Sequence, residues 1–275
     1  NVKKKSIPLV LLNARITKES YKKWKMISLL SKFLFESFDI SFPQNHETKK
    51  YLNSLGVKKI KFLGNLKFSE SKTQKNSALN KNIEKTFKSR KIWCAVSTHN
   101  GEEKICAEAH QKLKKKYKKL LTVIIPRHVH RVNDIYKEIV DMGFKVQIHS
   151  KKNKIKKDTD IYLVDTYGET KSFFKICNTV FLGGSIVNHG GQNPLEPARF
   201  GCKILHGPNI QNFTEVYRLL NKENLSFKFY NTNQLAKSVN QSLNQNINFS
   251  KKITKLKKIG SNILNHTSTE INCFL

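Results

Sequence analysis

The sequence is poor in arginine, in acidic residues and in cysteine, and each shortage excludes a class of protein. Lysine and arginine together number 51 against 20 aspartates and glutamates, which gives a formal net charge of +31. Such a balance first suggests a nucleic-acid partner. Base readout and bidentate phosphate recognition usually depend on arginine, however, and nearly all the basic residues here are lysines. The arginines are Arg15, Arg90, Arg127, Arg131, Arg199 and Arg218. We therefore expect no nucleic-acid partner.

The lysine excess leaves two other interpretations of the surface. The lysines accompany abundant Asn and Ile, as an AT-rich coding sequence would produce, so the charge can reflect composition alone on a solvated surface. The alternative is a functional anionic partner such as a membrane face, because each lysine near anionic headgroups contributes about 1 kcal/mol.

The five cysteines form no C-x-x-C pair, and their number is odd. This pattern disfavours both a disulfide framework and a zinc site, and it fits a reducing cytosolic compartment. No apolar run approaches the roughly 18 residues of a membrane span, and no signal peptide is visible. The chain begins with Asn1 instead of Met, and we expect it to be the C-terminal part of a longer protein.

Short apolar runs alternate with helical stretches along the chain. Strands are predicted at residues 7–13, 39–43, 59–65, 91–97, 120–126, 144–149, 161–165, 179–184 and 203–207. Helices are predicted at 19–38, with Trp24, Ile27, Leu30 and Leu34 at helical spacing, at 46–56, around 131–142 and in the tail around 249–264. Residues 69–90 resemble a linker or a loose helix. The alternation predicts a parallel sheet with helices on both faces, whose ligands bind at the carboxyl ends of the strands.

The first such strand end is "STHNGEE" (97–103). Asn100 can cap a helix with Glu103 in the capping-box position. In a functional interpretation, Thr98 and His99 would instead face an anion at the helix N-terminus.

The next strand ends in "PRHVHR" (126–131). Arg127 directly after the strand can form a fork onto a phosphate or carboxylate, although a surface ion pair is the alternative. His128 and His130 could suggest a metal, but they alternate along an extended segment without an obvious third ligand. We therefore expect no metal.

Two glycine-containing strand ends follow. In "DTYGE" (165–169), Gly168 allows a ligand to approach the backbone closely. Glu169 begins the next helix, where its negative charge can simply interact favourably with the helix dipole. In "GGSIVNHGGQNPLEP" (183–197), two glycine pairs would leave backbone N–H groups open to a phosphate; they are Gly183, Gly184, Gly190 and Gly191.

The polar end of that second stretch completes a predicted nucleotide clamp. Asn193 is a candidate N-cap, and Pro194 suits the first helical position. Glu196 would be repelled by a phosphate, so we expect its carboxylate to accept hydrogen bonds from ribose hydroxyls. A purely structural glycine-rich turn is the alternative.

Several of these segments, taken in order, resemble the 3-deoxy-D-manno-octulosonic acid (Kdo) transferases of Gram-negative bacteria. They are "NAR" (13–15), "LGVKKIKFLGN" (55–65), "GNLKF" (64–68), "STHNGEE", "PRH" (126–128), "DTYGE", "GGSIVNHGGQNPLEP" and "GPNIQNF" (207–213). The resemblance extends from about residue 7 to 225. It implies an α/β fold of the GT-B type, in which two Rossmann-like parallel-sheet domains face a cleft. Residues 1–64 would be the remainder of a truncated acceptor domain, and 65–275 the donor domain with a helical tail.

The resemblance also implies an activity. Such an enzyme transfers Kdo from CMP-Kdo to a lipid A precursor, lipid IVA, with inversion and without a metal. CMP-Kdo is the donor substrate, and no cofactor is implied. The implied location is the cytoplasmic face of the bacterial inner membrane, with the protein either peripheral or anchored through an N-terminal segment outside this chain.

Site residues follow from the resemblance position by position. Contacts to CMP and the donor fall on Pro126, Arg127, Gly168, Glu169, Thr170, Asn193, Pro194, Leu195 and Glu196. Family members often have Leu at the Thr170 position, so a backbone contact is the expectation there. Lys67 would stabilise negative charge on the Kdo carboxylate or the leaving phosphate. Alternatively, Lys67 is a surface lysine without a specific role.

The general base of the family lies in a Gly-Glu motif, and a second Glu lies near a Trp-Pro-Asn segment; neither motif is in this chain. A sugar hydroxyl needs a base to become a good nucleophile, so this chain would hold the donor site without the complete acid–base apparatus. Two other functions stay open, a GT-B enzyme with a different nucleotide sugar and a non-catalytic nucleotide- or lipid-binding module.

Overall fold

A computed structural model of the chain describes residues 5–69, 79–151, 154–244 and 250–274. The chain divides into two compact units. Unit 1 comprises Asn1–Lys72 with Thr254–Leu275, and unit 2 comprises Thr73–Ile253. Within the part of the chain that the structure describes, no helix has the length and apolarity that a membrane span requires.

Unit 1 has a small parallel sheet with helices packed against it. Its elements are β1 (Val10–Ala14), α1 (Lys18–Met26), α2 (Ser28–Glu36), β2 (Ile40–Pro43), α3 (His46–Ser54) and the greater part of α11 (Ser250–Asn272). β1 and β2 pair in parallel. The strand predicted at 59–65 is reduced to one bridge between Ile60 and Ser41, because Gly64 turns the chain with φ +115° and a 3₁₀ turn, Leu66–Phe68, follows.

The single helix predicted at 19–38 is two helices. Ile27 has φ −110° and ψ 52°, which breaks the helical path between α1 and α2. The break changes which face is buried: Phe35 is only 5% exposed, whereas Leu30 is 60% exposed. Trp24 contacts the core of this unit as its spacing predicted, but Leu34 does not lie in that core.

The last helix belongs to unit 1 from Thr254 onward, which differs from the predicted division after residue 64. Contacts with residues 61–68 explain this. A Cβ added at Gly260 would lie 2.1 Å from the carbonyl oxygen of Phe68, so the two backbones are in close contact. Lys61 Nζ also lies 2.5 Å from a carboxylate oxygen of Glu270. The unit boundary therefore falls after Lys72.

Unit 2 is an α/β unit around a seven-stranded parallel sheet. Its strands are β3 (Lys91–Thr98), β4 (Leu120–Pro126), β5 (Val146–Ile148), β6 (Ile161–Leu163), β7 (Thr179–Leu182), β8 (Lys203–His206) and β9 (Ser226–Lys228). Its helices are α4 (Lys81–Lys88), α5 (Glu102–Lys114), α6 (Val132–Asp141), α7 (Thr170–Phe174), α8 (Leu195–Arg199), α9 (Thr214–Lys222) and α10 (Thr232–Leu243). The predicted strands of this region are confirmed; β9, α9 and α10 were not predicted.

The strand order of this sheet is β5-β6-β4-β3-β7-β8-β9, with every pair parallel. From β3 the chain first builds the β4 side, then crosses to β7 and builds the other side. The carboxyl ends of β3 and β7 therefore flank the topological switch point, where ligands of such sheets bind. Apolar side chains cover both faces of the sheet, and Trp93 and Phe181 are fully buried.

Candidate functional site

A buried carboxylate lies at the switch point between β3 and β7. Glu102, at the start of α5, is fully buried. Its carboxylate accepts backbone N–H groups from Gly184 at 2.7 Å, Ser185 at 3.1 Å and Ile186 at 2.9 Å. It also accepts the N–H of His99 at 2.9 Å. These charge-assisted bonds satisfy a buried charge without a cation and bind the glycine-rich loop to the end of β3.

This contact corrects the prediction for the first glycine pair. The Gly184 amide, expected to contact a phosphate, donates to Glu102 instead. Gly183 is needed for packing, because a Cβ there would lie 2.4 Å from the carbonyl oxygen of Ser97. In the second pair, the Gly191 N–H donates to the Gly184 carbonyl at 2.7 Å. The loop thus uses these amides internally.

The predicted capping box was also wrong by one residue. The reciprocal bonds run between His99 and Glu102, whose N–H donates to the His99 carbonyl at 2.9 Å. Asn100 and Glu103 bind Arg131 instead: the guanidinium lies 3.0 Å and 3.3 Å from the Glu103 carboxylate oxygens and 3.4 Å from the Asn100 amide oxygen. Arg131 is therefore committed to an ion pair.

Four histidines, which we call the imidazole cluster, lie in a continuous series beside this loop: His99, His128, His130 and His189. The ring centroids of His99 and His189 are 4.1 Å apart, those of His99 and His128 are 6.0 Å apart, and those of His128 and His130 are 5.5 Å apart. The Gln192 amide nitrogen lies 3.4 Å from His99 Nε2. The cluster thus joins the end of β3, the end of β4 and the glycine-rich loop.

The surroundings of His99 disfavour its protonated form. Burial is the main cause that lowers the pKa of His99 to about 4, and electrostatic interactions with His189, His128, Arg131 and Arg127 lower it further. No set of three or more His, Cys, Asp or Glu among the residues described above has a geometry suited to a metal ion. Imidazole N–H groups near arginines are instead suited to an anion.

The predicted donor residues lie along the same carboxyl edge of the unit 2 sheet. Pro126 ends β4 opposite Thr98, and the Arg127 N–H donates to the Thr98 carbonyl at 3.0 Å. The Arg127 side chain is exposed. Gly168 turns the chain after β6 with φ +85°, and Glu169 directly precedes α7, where Thr170 is the first residue.

Glu169 is part of a chain of polar contacts. Its carboxylate accepts a hydrogen bond from the Thr166 hydroxyl and lies 3.0 Å from His149 Nε2. The other ring nitrogen of His149 lies 2.7 Å from the Tyr162 hydroxyl. Burial is the main cause that raises the pKa of Tyr162, and the charges of Glu169 and Asp165 add to it. These partners hold the Glu169 carboxylate near the Gly168 turn.

Helix α8 begins one residue later than predicted. Leu195 is its first residue and Pro194 is the N-cap, but the Asn193 side chain still accepts the Leu195 N–H at 3.1 Å. Glu196 lies 3.4 Å from Lys171 Nζ on α7. This ion pair connects two segments that the sequence assigned to one site.

Lys67 lies in the 3₁₀ turn of unit 1. Its N–H donates to the Asn65 side chain at 2.9 Å, and its own side chain is exposed. Its role as a charge stabiliser stays a prediction.

Sequence reasoning missed Glu102, Lys171, His149 and His189. Glu102 had no usable signal, because the amides that it binds follow 82 to 84 residues later in the chain. His189 stands inside the glycine-rich stretch and could have been selected by position.

Several known proteins are similar to this chain in sequence or in fold. Residues 1–70 match the family model described as 3-Deoxy-D-manno-octulosonic-acid transferase (kdotransferase). The 3-deoxy-D-manno-octulosonic acid transferase of Haemophilus influenzae is 31% identical over 219 residues, which cover 78% of this chain and 51% of that protein. The Aquifex aeolicus transferase is 29% identical over 237 residues, covering 86% of this chain and 60% of that protein.

Among solved structures, the C-terminal CMP-Kdo binding domain of WaaA from Acinetobacter baumannii superposes with a TM-score of 0.55 and 23% identity, over 65% of this chain and 91% of that one. The fold and the sheet define an α/β protein of the GT-B glycosyltransferase class, as the sequence predicted. Within that class, the chain is similar to Kdo transferases over most of its own length. It spans about half the length of the curated relatives that it matches.

Proposed function

We propose that this chain carries the donor-binding part of a Kdo transferase, which moves Kdo from CMP-Kdo to a lipid A precursor in lipopolysaccharide biosynthesis. One observation carries the proposal: the three donor segments predicted from the sequence all follow strands of one parallel sheet, at its carboxyl edge. They are Pro126–Arg127, Gly168–Thr170 and Asn193–Glu196. The names of the relatives and of the solved CMP-Kdo binding domain support the same assignment.

Each segment has chemistry suited to a nucleotide. The exposed guanidinium of Arg127 can form two parallel hydrogen bonds to the CMP phosphate. Glu196 can accept hydrogen bonds from the ribose hydroxyls, while Lys171 at 3.4 Å offsets its charge beside the phosphate. Gly168, with φ +85° and no Cβ, permits a close approach of the backbone to the ligand.

The proposed reaction is an inverting displacement at the anomeric carbon of Kdo by a hydroxyl of lipid IVA. The bond from the anomeric carbon to the phosphate oxygen breaks, and CMP leaves with the electron pair. The hydroxyl proton passes to a carboxylate base that the family motif locates outside the residues of this chain. In a metal-independent reaction, a cation such as Arg127 would stabilise the charge on the leaving group.

Calorimetric titration of the chain with CMP, UDP and GDP tests the donor. We expect CMP to bind about tenfold or more tightly than the other two, and Glu196→Ala to weaken CMP about tenfold, since hydrogen bonds to charged groups are worth ~1.5–3 kcal/mol. Glu138→Ala, on α6 and outside the predicted site, is the matched control. Equal affinity for all three nucleotides would favour another nucleotide sugar. Transfer of Kdo to lipid IVA by the intact gene product tests the acceptor.

A membrane-facing location is part of the proposal, and unit 1 supports it. Helices α1 and α2 expose Met26 (84%), Leu29 (88%) and Phe33 (78%). Five lysines lie on the same two helices: Lys18, Lys22, Lys23, Lys25 and Lys32. Apolar side chains beside lysines are typical of peripheral surfaces that insert shallowly into anionic membranes, such as the cytoplasmic face of the inner membrane.

Vesicle co-sedimentation tests this location. We expect the chain to bind vesicles that contain anionic phosphatidylglycerol and to bind neutral phosphatidylcholine vesicles at least about tenfold more weakly, because each lysine contributes ~1 kcal/mol only near anionic headgroups. A Leu29→Asp/Phe33→Asp double variant should lose most of the binding. Binding that is unchanged in this variant would assign the lysines alone, or another surface, to the membrane.

A further inference from the structure

We propose that the imidazole cluster binds the carboxylate of the acid sugar of the donor. The inference rests on the proposed function, and it assigns the sugar part of the donor to residues that are not among the predicted nucleotide contacts. The cluster comprises His99, His128, His130 and His189, as defined above.

The first argument is position. His99 follows β3 and His189 lies in the loop after β7, so the two rings, 4.1 Å apart at their centroids, lie at the switch point of the sheet. Ligands of doubly wound sheets bind there. His128, 6.0 Å from His99, follows Arg127 directly. A ligand whose phosphate contacts Arg127 would therefore have its next group beside the cluster.

The second argument is the supply of hydrogen-bond donors. Where an anion binds at a helix N-terminus, backbone N–H groups usually donate the hydrogen bonds to it. Here the amides of Gly184, Ser185 and Ile186 already donate to Glu102. Arg131 is paired with Glu103. These groups are thus already engaged, and imidazole N–H groups at the switch point can donate to a small anion in their place.

The third argument is charge, taken over every element that faces His99. From β3 and α5 these groups are Glu102 and Glu103, of which the first is satisfied by amides and the second by Arg131. From the end of β4 they are Arg127, His128, His130 and Arg131, and from the glycine-rich loop His189. The cationic neighbours help to lower the pKa of His99 to about 4, after burial as the main cause. A carboxylate among these rings would reverse that effect and favour a protonated ring.

The spacing of the rings is compatible with a small anionic group. Their centroids are 4.1 to 6.0 Å apart, so N–H groups from two or three rings can donate to one carboxylate. Kdo is an acid and CMP alone lacks this carboxylate, so the two ligands separate the sugar contact from the nucleotide contact.

The direct test is NMR of the histidine rings during titration with free Kdo, with mannose as an uncharged sugar and acetate as a simple carboxylate. We expect Kdo to shift the signals of His99 and His189 and to raise the pKa of His99 from about 4 toward its usual range. Binding of Kdo should then tighten as the pH falls toward 4, because the bound state takes up a proton that the unbound state does not. Mannose should have no effect, and an equal response to acetate would reduce the site to an unspecific anion site and overturn the assignment.

Calorimetry with variants completes the test. His99→Gln and His189→Gln should weaken CMP-Kdo about tenfold, as the loss of a charge-assisted hydrogen bond predicts, and leave CMP within about twofold. His266→Gln, an exposed histidine of unit 1, is the control for substitution as such.

The outcomes separate the two proposals. If the parent chain binds CMP but free Kdo leaves the His99 signals unchanged, or if the variants weaken CMP and CMP-Kdo equally, the inference is overturned and the proposed function stands. If the parent chain does not bind CMP, the proposed function fails. Specific shifts of His99 and His189 by Kdo would then still support an acid-sugar site.

Discussion

The two units of this chain use buried polar groups differently. Unit 2 buries the carboxylates of Glu102, Glu103 and Asp160, each with hydrogen-bond or ion-pair partners. In the described part of unit 1, the buried polar residues are all uncharged: Ser31, Ser41, Gln44, Thr48 and Thr267. Burying a charge costs free energy of folding unless several partners satisfy it. The buried carboxylates therefore indicate that unit 2, rather than unit 1, contains an organised polar network.

The units also differ in their apolar surface. Unit 2 covers both faces of its sheet, so the strands β3 and β4 are nearly completely buried. Unit 1 leaves one face of α1 and α2 exposed, with Leu29 at 88% and Phe33 at 78%. An exposed apolar patch of this kind indicates a partner or a membrane. One unit is therefore organised around an internal site and the other around an external surface.

The two tryptophans make this comparison measurable, because Trp24 lies in unit 1 and Trp93 in unit 2. A Trp24→Phe background reports the unfolding of unit 2 alone, and a Trp93→Phe background reports unit 1. The predictions below use these backgrounds, from the largest expected effect to the smallest.

Glu102→Gln should destabilise unit 2 by about 3 to 5 kcal/mol, the usual cost of removing one partner from a buried charged network. The amide nitrogen of glutamine would face backbone N–H donors, which leaves at least one of the four unsatisfied. Urea unfolding followed by Trp93 fluorescence measures the change. Unit 1, followed by Trp24, should unfold as before.

Glu138→Gln on α6 is the matched control for this substitution, and we expect a change within about 0.5 kcal/mol. A similarly small effect of Glu102→Gln would mean that the carboxylate does not bind the glycine-rich loop. The buried charge in unit 2 would then not distinguish it energetically from the described part of unit 1.

Most of the fold of unit 2 could be predicted from the sequence, since runs such as 120–126 are apolar except for one threonine. Short polar elements such as β9 carry too weak a pattern to be recognised. In unit 1 the helical period continued across Ile27, but only backbone geometry reveals the break that turns Leu30 outward and Phe35 inward. Hydrophobic periodicity in the sequence predicts which residues share a helix face, but it does not predict what packs against that face.

The proposed donor site shows the same limit of prediction from sequence. Local signals located Arg127, Gly168 and Asn193 at strand ends, because chain order and sheet topology suffice for that. The bonds from Glu102 to Gly184 could not be predicted, since they depend on two strands becoming neighbours in the sheet. The glycines were correctly recognised as sites of close approach, but the sequence could not say that the approaching group is a carboxylate of the same chain.

Two neighbouring phenylalanines test the contrast within unit 1. Phe35→Ala should destabilise this unit by about 3 to 4 kcal/mol, because the ring is 5% exposed and packs edge-on against Trp24 with centroids 5.3 Å apart. Phe33→Ala should change stability by less than about 0.5 kcal/mol, since its ring is 78% exposed. Equal losses would show that Phe33 is covered in solution, by a second copy or another segment.

The smallest expected effect tests the assignment of the last helix to unit 1. Alanine in place of a helical glycine normally gains up to about 1 kcal/mol. Gly260→Ala should instead destabilise unit 1 by about 1 to 3 kcal/mol, because the new Cβ would meet the Phe68 carbonyl oxygen at 2.1 Å and force the helix away. Ser261→Ala, one residue further on the exposed side of the helix, should change stability by a few tenths of a kcal/mol. The sign of the change in stability tests whether the last helix belongs to unit 1. If Gly260→Ala stabilised unit 1, the helix would not pack on residues 64–69 in solution. Unit 1 would then end near Lys72, and the last helix would not contribute to its stability.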